Sequence, residues 1–220
     1  MRRARRAPKF PLPRFAALAF VLLLASCGGR PTVSPPGPPQ PSLLLNGPAC
    51  VAALADRGIG FARVDDFRNG QGCGVETAIS LSRSTATMNT PVTVGCTLAL
   101  VMNSYEREVV QPAAIRHFGQ PVTRIHHMGA YACRNRSSGG GRLSEHALGR
   151  AIDIGAFELQ DGTMIRVRSD WRGGGTRSAF LDDVSQGACR LFSVVLTPNH
   201  DRDHHDHLHL DLGPWRLCGV

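Results

Sequence analysis

Apolar positions recur in two rhythms between about residue 50 and residue 212, and the rhythm changes from segment to segment. Cys50 to Gly58 has helical spacing and ends on a glycine, and Gly60 to Val64 reads as a strand. Val75 to Leu81 is apolar and β-prone. Asn89-Thr90-Pro91 has the form of a helix start, a capping side chain followed by proline in the first turn. It predicts a helix that turns Val94, Leu98, Val101, Met102 and Tyr105 inward. Pro112 either kinks that helix or begins a second piece, which Gly119 ends. Val122 to Cys133 reads as a strand, and Ala151 to Leu159 with Met164 to Arg168 flank the hairpin signal Asp161-Gly162. Arg177 to Ser193 sets Phe180, Leu181, Val184, Ala188, Leu191 and Phe192 on one side of a helix. The last strand, His205 to Leu212, alternates strictly over His207-Leu208-His209-Leu210-Asp211-Leu212. Side chains two apart share a face, so His207, His209 and Asp211 look one way and the three leucines look into the core. These elements add up to an α+β domain with a mostly antiparallel sheet and flanking helices.

The N-terminal part has neither rhythm. Arg2, Arg3, Arg5, Arg6, Lys9 and Arg14 precede the apolar run Phe15 to Ala25. That run is too short for a transmembrane helix, which needs about 20 residues, and suits the core of a secretory signal peptide over residues 1–26. It ends in Leu24-Ala25-Ser26-Cys27, which resembles the bacterial lipobox. Cys27 is then the lipidated first residue of the mature chain, and the reading set against it is ordinary cleavage with Cys27 incidental. Gly28 rather than an aspartate follows, which in lipoproteins points to the outer membrane. Residues 27–48 are rich in Pro, Gly and Ser, cannot bury a core, and read as a semi-rigid tether. The folded domain is expected over 49–220, in the periplasm and held to the membrane through Cys27.

Cysteine count and charge sharpen this picture. Without Cys27, six of the seven cysteines remain: Cys50, Cys73, Cys96, Cys133, Cys189 and Cys218. In an oxidising compartment six suggest three disulfides, and no Cys-x-x-Cys pair favours metal instead. Spacing does not select among the possible pairings; the working expectation is Cys50–Cys73, Cys96–Cys218 and Cys133–Cys189. The formal charge of +8 invites a nucleic-acid partner. Six of the 25 basic residues lie in the first 14, however, and the other 19 face 17 acidic ones with no basic run. Nucleic acid is excluded as a partner on that ground.

Two clusters carry the chemistry. The first is Ser144-Glu145-His146-Ala147-Leu148-Gly149-Arg150-Ala151-Ile152-Asp153, with His146 in a loop or helix end and Asp153 on a strand. The second is His204-His205-Asp206-His207-Leu208-His209-Leu210-Asp211. Taken singly, His146 reads as a hydrogen-bonded structural residue, Asp153 as a cap or an arginine partner, and the His-rich run as a solvated loop. Together they offer two imidazoles and a carboxylate with an open fourth position, the donor set of a catalytic zinc site.

At these residues the chain resembles two families. Ser144-x-His146-x-x-Gly149-x-Ala151-x-Asp153 followed by Asp206-His207-x-His209 looks like the zinc D-Ala-D-Ala carboxypeptidase and Hedgehog-type metallopeptidase superfamily. Over roughly Cys50 to Asp211 the chain resembles the bacterial extensin-like C-terminal domain family, through Val110-Gln-Pro-Ala-Ala114, Tyr131-Ala-Cys-Arg134, Leu143-Ser-Glu-His146, Gly187-Ala-Cys-Arg190 and Asp206 to Asp211. The resemblance implies a Hedgehog/DD-peptidase-like fold and zinc held by His146, Asp153 and His209. It implies Asp206 as general base, His207 as an additional transition-state residue and Arg134, with Arg136 as competitor, as the oxyanion or substrate arginine. A straight strand from Asp206 would turn its carboxylate away from His207 and His209, so the base role needs a bend there; otherwise His207 or Glu145 is the better base. The functional expectation is a zinc-dependent peptidase acting on peptidoglycan peptides or muropeptides. The alternatives are a non-catalytic, zinc-stabilised wall-binding lipoprotein and a purely structural lipoprotein.

Overall fold

The computed structural model describes residues 45–137 and 139–219. The signal peptide, Cys27 and the tether up to residue 44 lie outside the described residues. The chain is already helical at Gly47, inside the stretch expected to be tether. Thr97 Oγ1 donates to the Leu45 carbonyl, and Gly47 N donates to Thr77 Oγ1 at 3.0 Å.

In chain order the elements begin with α1 (Gly47–Asp56), β1 (Gly60–Arg63), β2 (Phe67–Arg68), β3 (Gly74–Val75), β4 (Ala78–Arg83) and β5 (Thr87–Gly95). A continuous helical run follows: α2 (Cys96–Tyr105), a π-helical turn (Glu106–Val110) and α3 (Gln111–Phe118). Then come β6 (Val122–Gly129), a 3-10 turn (Glu145–Leu148), β7 (Ala151–Leu159), β8 (Met164–Arg166), the short α4 (Val167–Asp170) and α5 (Gly175–Ala188). The chain closes with β9 (Val194–Leu196), a second 3-10 turn (Arg202–His204), β10 (Leu208–Asp211) and β11 (Leu217–Cys218). This is the expected α+β class. The sheet order is β1-β4-β5-β6-β7-β10-β9-β11, antiparallel except where β5 meets β6 and β9 meets β11.

β7 organises the sheet. β6 runs along one of its edges; β10 covers Ala151 to Ile154 on the other, and β8 covers Ala156 to Glu158. Ile152 and Ile154 are buried on the core face, and burial changes phase before Phe157, where the register of β6 against β7 slips. That irregularity lets Asp153 face outward and Phe157 inward on one strand. The helical run packs behind the sheet: nine of the ten α2 residues are buried, Leu98, Val101, Met102 and Tyr105 among them. α5 approaches the π-helical turn at Gly187, where a methyl group would overlap Val109.

Four expectations give way. Asn89-Thr90-Pro91 opens no helix: it lies within β5, where Val92, Thr93 and Val94 pair with Leu81, Ser80 and Ile79. Proline is tolerated there because the β4–β5 register is irregular between Leu81 and Arg83, where no ladder bond is required of it. β6 stops at Gly129 rather than Cys133, and α5 stops at Ala188, leaving Leu191 and Phe192 buried in the turn beyond it. The last strand begins at Leu208 rather than His205, because residues 202–204 form a 3-10 turn capped by the Asp201 carboxylate.

All three expected disulfide pairings are replaced by others: Cys50–Cys96, Cys73–Cys133 and Cys189–Cys218. The first joins α1 to the start of α2, the second ties the loop before β3 to the segment after β6, and the third ties the end of α5 to β11. Each joins segments that the tertiary fold brings together, which sequence spacing does not encode. Loops of this size are worth about 3–4 kcal/mol each in the chain-entropy picture. Three disulfides mark a chain that folds outside the reducing cytosol, in the periplasm or extracellular space. No helix among the described residues is long and apolar enough to cross a membrane.

Glu106 is buried in the π-helical turn. Its Oε2 accepts from Thr85 N at 3.0 Å and Ala86 N at 2.6 Å, and its Oε1 has no hydrogen-bond partner. Burial pushes its pKa up to about 7 against the pull of those bonds. The stability its protonated form contributes is complete below the ordinary glutamate value and is lost as pH rises through about 7. Chemical denaturation across that window should show the native chain losing about 3 kcal/mol relative to Glu106→Gln; parallel pH profiles would contradict this origin.

Candidate metal centre

Two strands and a turn build the centre. His209 on β10 and Asp153 on β7 are register partners across the antiparallel pair, flanked by Leu208, Leu210, Ile152 and Ile154 facing the core. Packing on one face of each strand therefore fixes the direction of the polar side chain on the other. His146 enters from the 3-10 turn, which Ser144 caps by accepting from His146 N at 3.3 Å. Gly149 ends that turn at φ +63°, a left-handed conformation, and is held through both its backbone groups: Gly95 N donates to Gly149 O at 2.8 Å, and Gly149 N donates to the His146 carbonyl at 3.2 Å. A Cβ on Gly149 would come within 2.7 Å of a Val75 methyl carbon, so the turn seats only because this residue has no side chain.

The donor atoms converge. His146 Nε2 lies 3.1 Å from His209 Nδ1 and 3.2 Å from Asp153 Oδ2, and His209 Nδ1 lies 3.0 Å from Asp153 Oδ1. Donors around one tetrahedral ion at about 2.0–2.1 Å would stand about 3.3 Å apart, so this spacing fits a metal after a slight opening. The outer nitrogens are also held. His146 Nδ1 donates to the Ala130 carbonyl, and His209 Nε2 donates to Asp211 Oδ2 at 3.1 Å. Those bonds select the tautomers that aim a lone pair from each ring at the shared point, the outer shell a metal-binding histidine needs. His146 and His209 are buried, and Asp153 is nearly so.

Burial alone would raise the Asp153 pKa, but hydrogen bonds from His146 and His209 prevail and hold it well below the usual carboxylate range. Burial lowers the His209 pKa, while Asp153 and Asp211 on its two nitrogens more than offset that and lift it to about 9. In the metal-free centre the His209 cation thus lies between Asp153 and Asp211, and a metal must displace the His209 proton.

The centre opens into a cavity of about 860 Å³ whose wall includes Arg134, His204, His207 and Trp215. His207 sits just before β10, with Nε2 3.6 Å from Asp153 Oδ1 and Nδ1 donating to Asp206 Oδ1 at 3.0 Å. Asp206 is in the turn before the strand. Its carboxylate faces His207 and, at 3.5 Å, His205 Nε2, so its partners are the outer rings of the cluster. Arg134 and Arg136 differ clearly. Arg136 is engaged, donating to Glu145 Oε1 at 3.1 Å and to the Leu143 carbonyl at 3.3 Å. The Arg134 guanidinium has no hydrogen bond or ion pair among the described residues and stands exposed on the cavity wall. Glu145 is buried against Arg136 and Arg150, occupied with holding the turn. Sequence reasoning did not find Ala130 as the His146 acceptor, because a backbone contact leaves no trace in residue types. It placed Asp211 on the right face without a role, although a carboxylate two residues after a strand histidine was a usable signal.

Residues 48–219 match the family described as extensin-like protein C-terminus. The chain belongs to the extensin-like C-terminal family. The match runs from α1 to β11 of this extensin-like domain and contains every donor of the centre. Neither curated proteins nor solved structures gave a match.

Two outcomes follow for the extensin-like domain. Metal uptake at neutral pH should release at least the His209 proton, and apparent affinity should fall as pH drops; calorimetry in buffers of different ionisation enthalpy measures both, and uptake without proton release would contradict the paired-carboxylate account. Gly149→Ala should cost at least about 2 kcal/mol of stability from strain and overlap with Val75 and weaken metal binding with it, whereas an unchanged melting temperature would show the turn is not seated as described.

Proposed function

We propose that the domain is a zinc-dependent peptidase of the cell envelope acting on peptidoglycan peptides. The observation that carries this is the convergence of His146 Nε2, His209 Nδ1 and Asp153, with the outer nitrogens of both rings held, against a cavity lined by Asp153 and His209 that also presents Arg134 and His207. The motif likeness to the zinc D-Ala-D-Ala carboxypeptidases and Hedgehog-type peptidases supports the same reading. Two imidazoles and one carboxylate suit zinc, and also the non-haem iron triad; the nearby proton-carrying residues favour hydrolysis. Zinc in this position supplies Lewis acidity, polarising a carbonyl and making water a nucleophile near neutral pH.

The chain's own residues supply the rest. His207, oriented through Nδ1 by Asp206, points Nε2 toward the donors and is placed to accept a proton from the attacking water and return it to the leaving amine. On this reading Asp206 is a positioning residue for His207, in place of the base the motif implies. Arg134 carries an unmatched positive charge into the cavity, where it meets a developing oxyanion or a substrate carboxylate. An exported, disulfide-bonded chain meets peptidoglycan as its nearest peptide substrate, and a lipid on Cys27 would hold the domain against it.

Incubating the zinc-loaded protein with purified muropeptides and following products by mass tests the reading. Hydrolysis should be abolished by chelator and fall about 10²–10⁴-fold in His207→Gln, the range for loss of a general base, with bound metal retained. Tight muropeptide binding without any cleavage would instead establish the non-catalytic wall-binding alternative.

A further inference from the structure

A second cavity, of about 400 Å³, opens beside the metal cavity. The two share Asp201, Arg202 and His205 in their walls. The opposite wall of the smaller one is formed by α4 and the residues after it, Arg168 and Arg172 among them. Three guanidinium groups and an imidazole thus border one small concavity.

Its single carboxylate, Asp201, is already matched. Oδ1 accepts from His204 Nδ1 at 2.6 Å and from the backbone N–H groups of Asp203 and His204, and Oδ2 lies 3.5 Å from His200 Nε2. The arginines are less fully engaged. The side chains of Arg168 and Arg202 make no direct hydrogen bond or ion pair among the described residues, although Arg168 lies close enough to Asp206 to help lower that carboxylate's pKa. Arg172 spends one donor on the Pro198 carbonyl at 3.0 Å. That bond, with Trp171 Nε1 donating to Asn199 Oδ1 at 3.1 Å, staples α4 to the 198–199 loop and fixes both walls. An ordinary solvated face spreads its arginines over convex surface; here they converge on a concave, braced one, the arrangement that planar guanidinium groups use to take an oxyanion.

We infer that this pocket is an anion subsite: it takes a carboxylate of an acidic peptide whose scissile bond lies in the metal cavity next door. The link to a scissile bond rests on the peptidase reading, and the anion on the pocket alone. The shared wall through Arg202 and His205 is what makes one extended ligand able to occupy both cavities.

Isothermal titration of the full-length, metal-loaded chain with N-acetyl-Ala-Glu-Ala-amide and its Gln counterpart, at about 0.15 M salt so that long-range attraction is screened, tests this. The Glu peptide should bind about ten-fold more tightly, the size of one charge-assisted hydrogen-bonded pair. The advantage should vanish in Arg168→Gln/Arg202→Gln, shrink in each single variant, and persist in the distant control Arg63→Gln, with melting temperature and metal content unchanged throughout. Equal binding of the two peptides, or a preference that survives the double substitution, overturns the subsite. Inorganic phosphate binding the pocket more tightly than the Glu peptide also overturns it, in favour of a phosphorylated ligand. Cleavage of both peptides with equal kcat/KM removes the subsite and leaves the peptidase; charge preference without any cleavage sustains the subsite and removes the peptidase.

Discussion

The pairing of His209 with Asp153 across the β10–β7 ladder is the constraint on which the rest of the centre depends. Both side chains are drawn largely out of water, and each offsets the cost of burying the other, with Asp211 and His146 as their further partners. The leucine and isoleucine neighbours on the core face make the pairing rigid, and Asp211 and Ala130 fix the outer nitrogens of the two rings. Removing His209 would take away the imidazole that stands between Asp153 and Asp211, and removing Asp153 would leave His209 with Asp211 as its one remaining carboxylate partner among the described residues. A metal answers the same problem better than a proton does, because it satisfies both rings and the carboxylate at once.

The disulfides act on the site as well as on stability. Cys73–Cys133 fastens the segment that carries Arg134, and Cys189–Cys218 fastens β11 directly after the Trp215 edge of the cavity. Those segments have little regular structure of their own: the described residues of 130–144 hold, besides turns, an isolated bridge between Asn135 and Leu143. In an exported domain, crosslinks take the place of the packing that such loops cannot supply.

Much of this was legible in the sequence. The hairpin over Ala151 to Arg166 and the leucine alternation from Leu208 follow from side-chain periodicity, and the resemblance to the zinc-peptidase motifs pointed to the three residues that the fold brings together. The parts that were not legible share a cause. Asn89-Thr90-Pro91 offers locally sound helix-start chemistry, and only pairing with β4 makes it a strand. The disulfide partners depend on strand order, which pairs β5 with β6 in parallel and carries β10 in beside β7. Asp206 was legible as a motif position, but the direction of its carboxylate depends on the turn capped by Asp201, which no periodicity reports. Arg134 and Arg136 look alike in sequence, and buried Glu145 separates them by claiming one.

The peptidase reading of this domain rests on a metal held by His146, Asp153 and His209. Elemental analysis of the purified, oxidised chain by mass spectrometry tests it most directly. The account predicts one zinc per chain, lost in Asp153→Ala and retained in His207→Gln. A chain without stoichiometric metal, one that carries iron, or one that keeps its zinc after Asp153→Ala would contradict it.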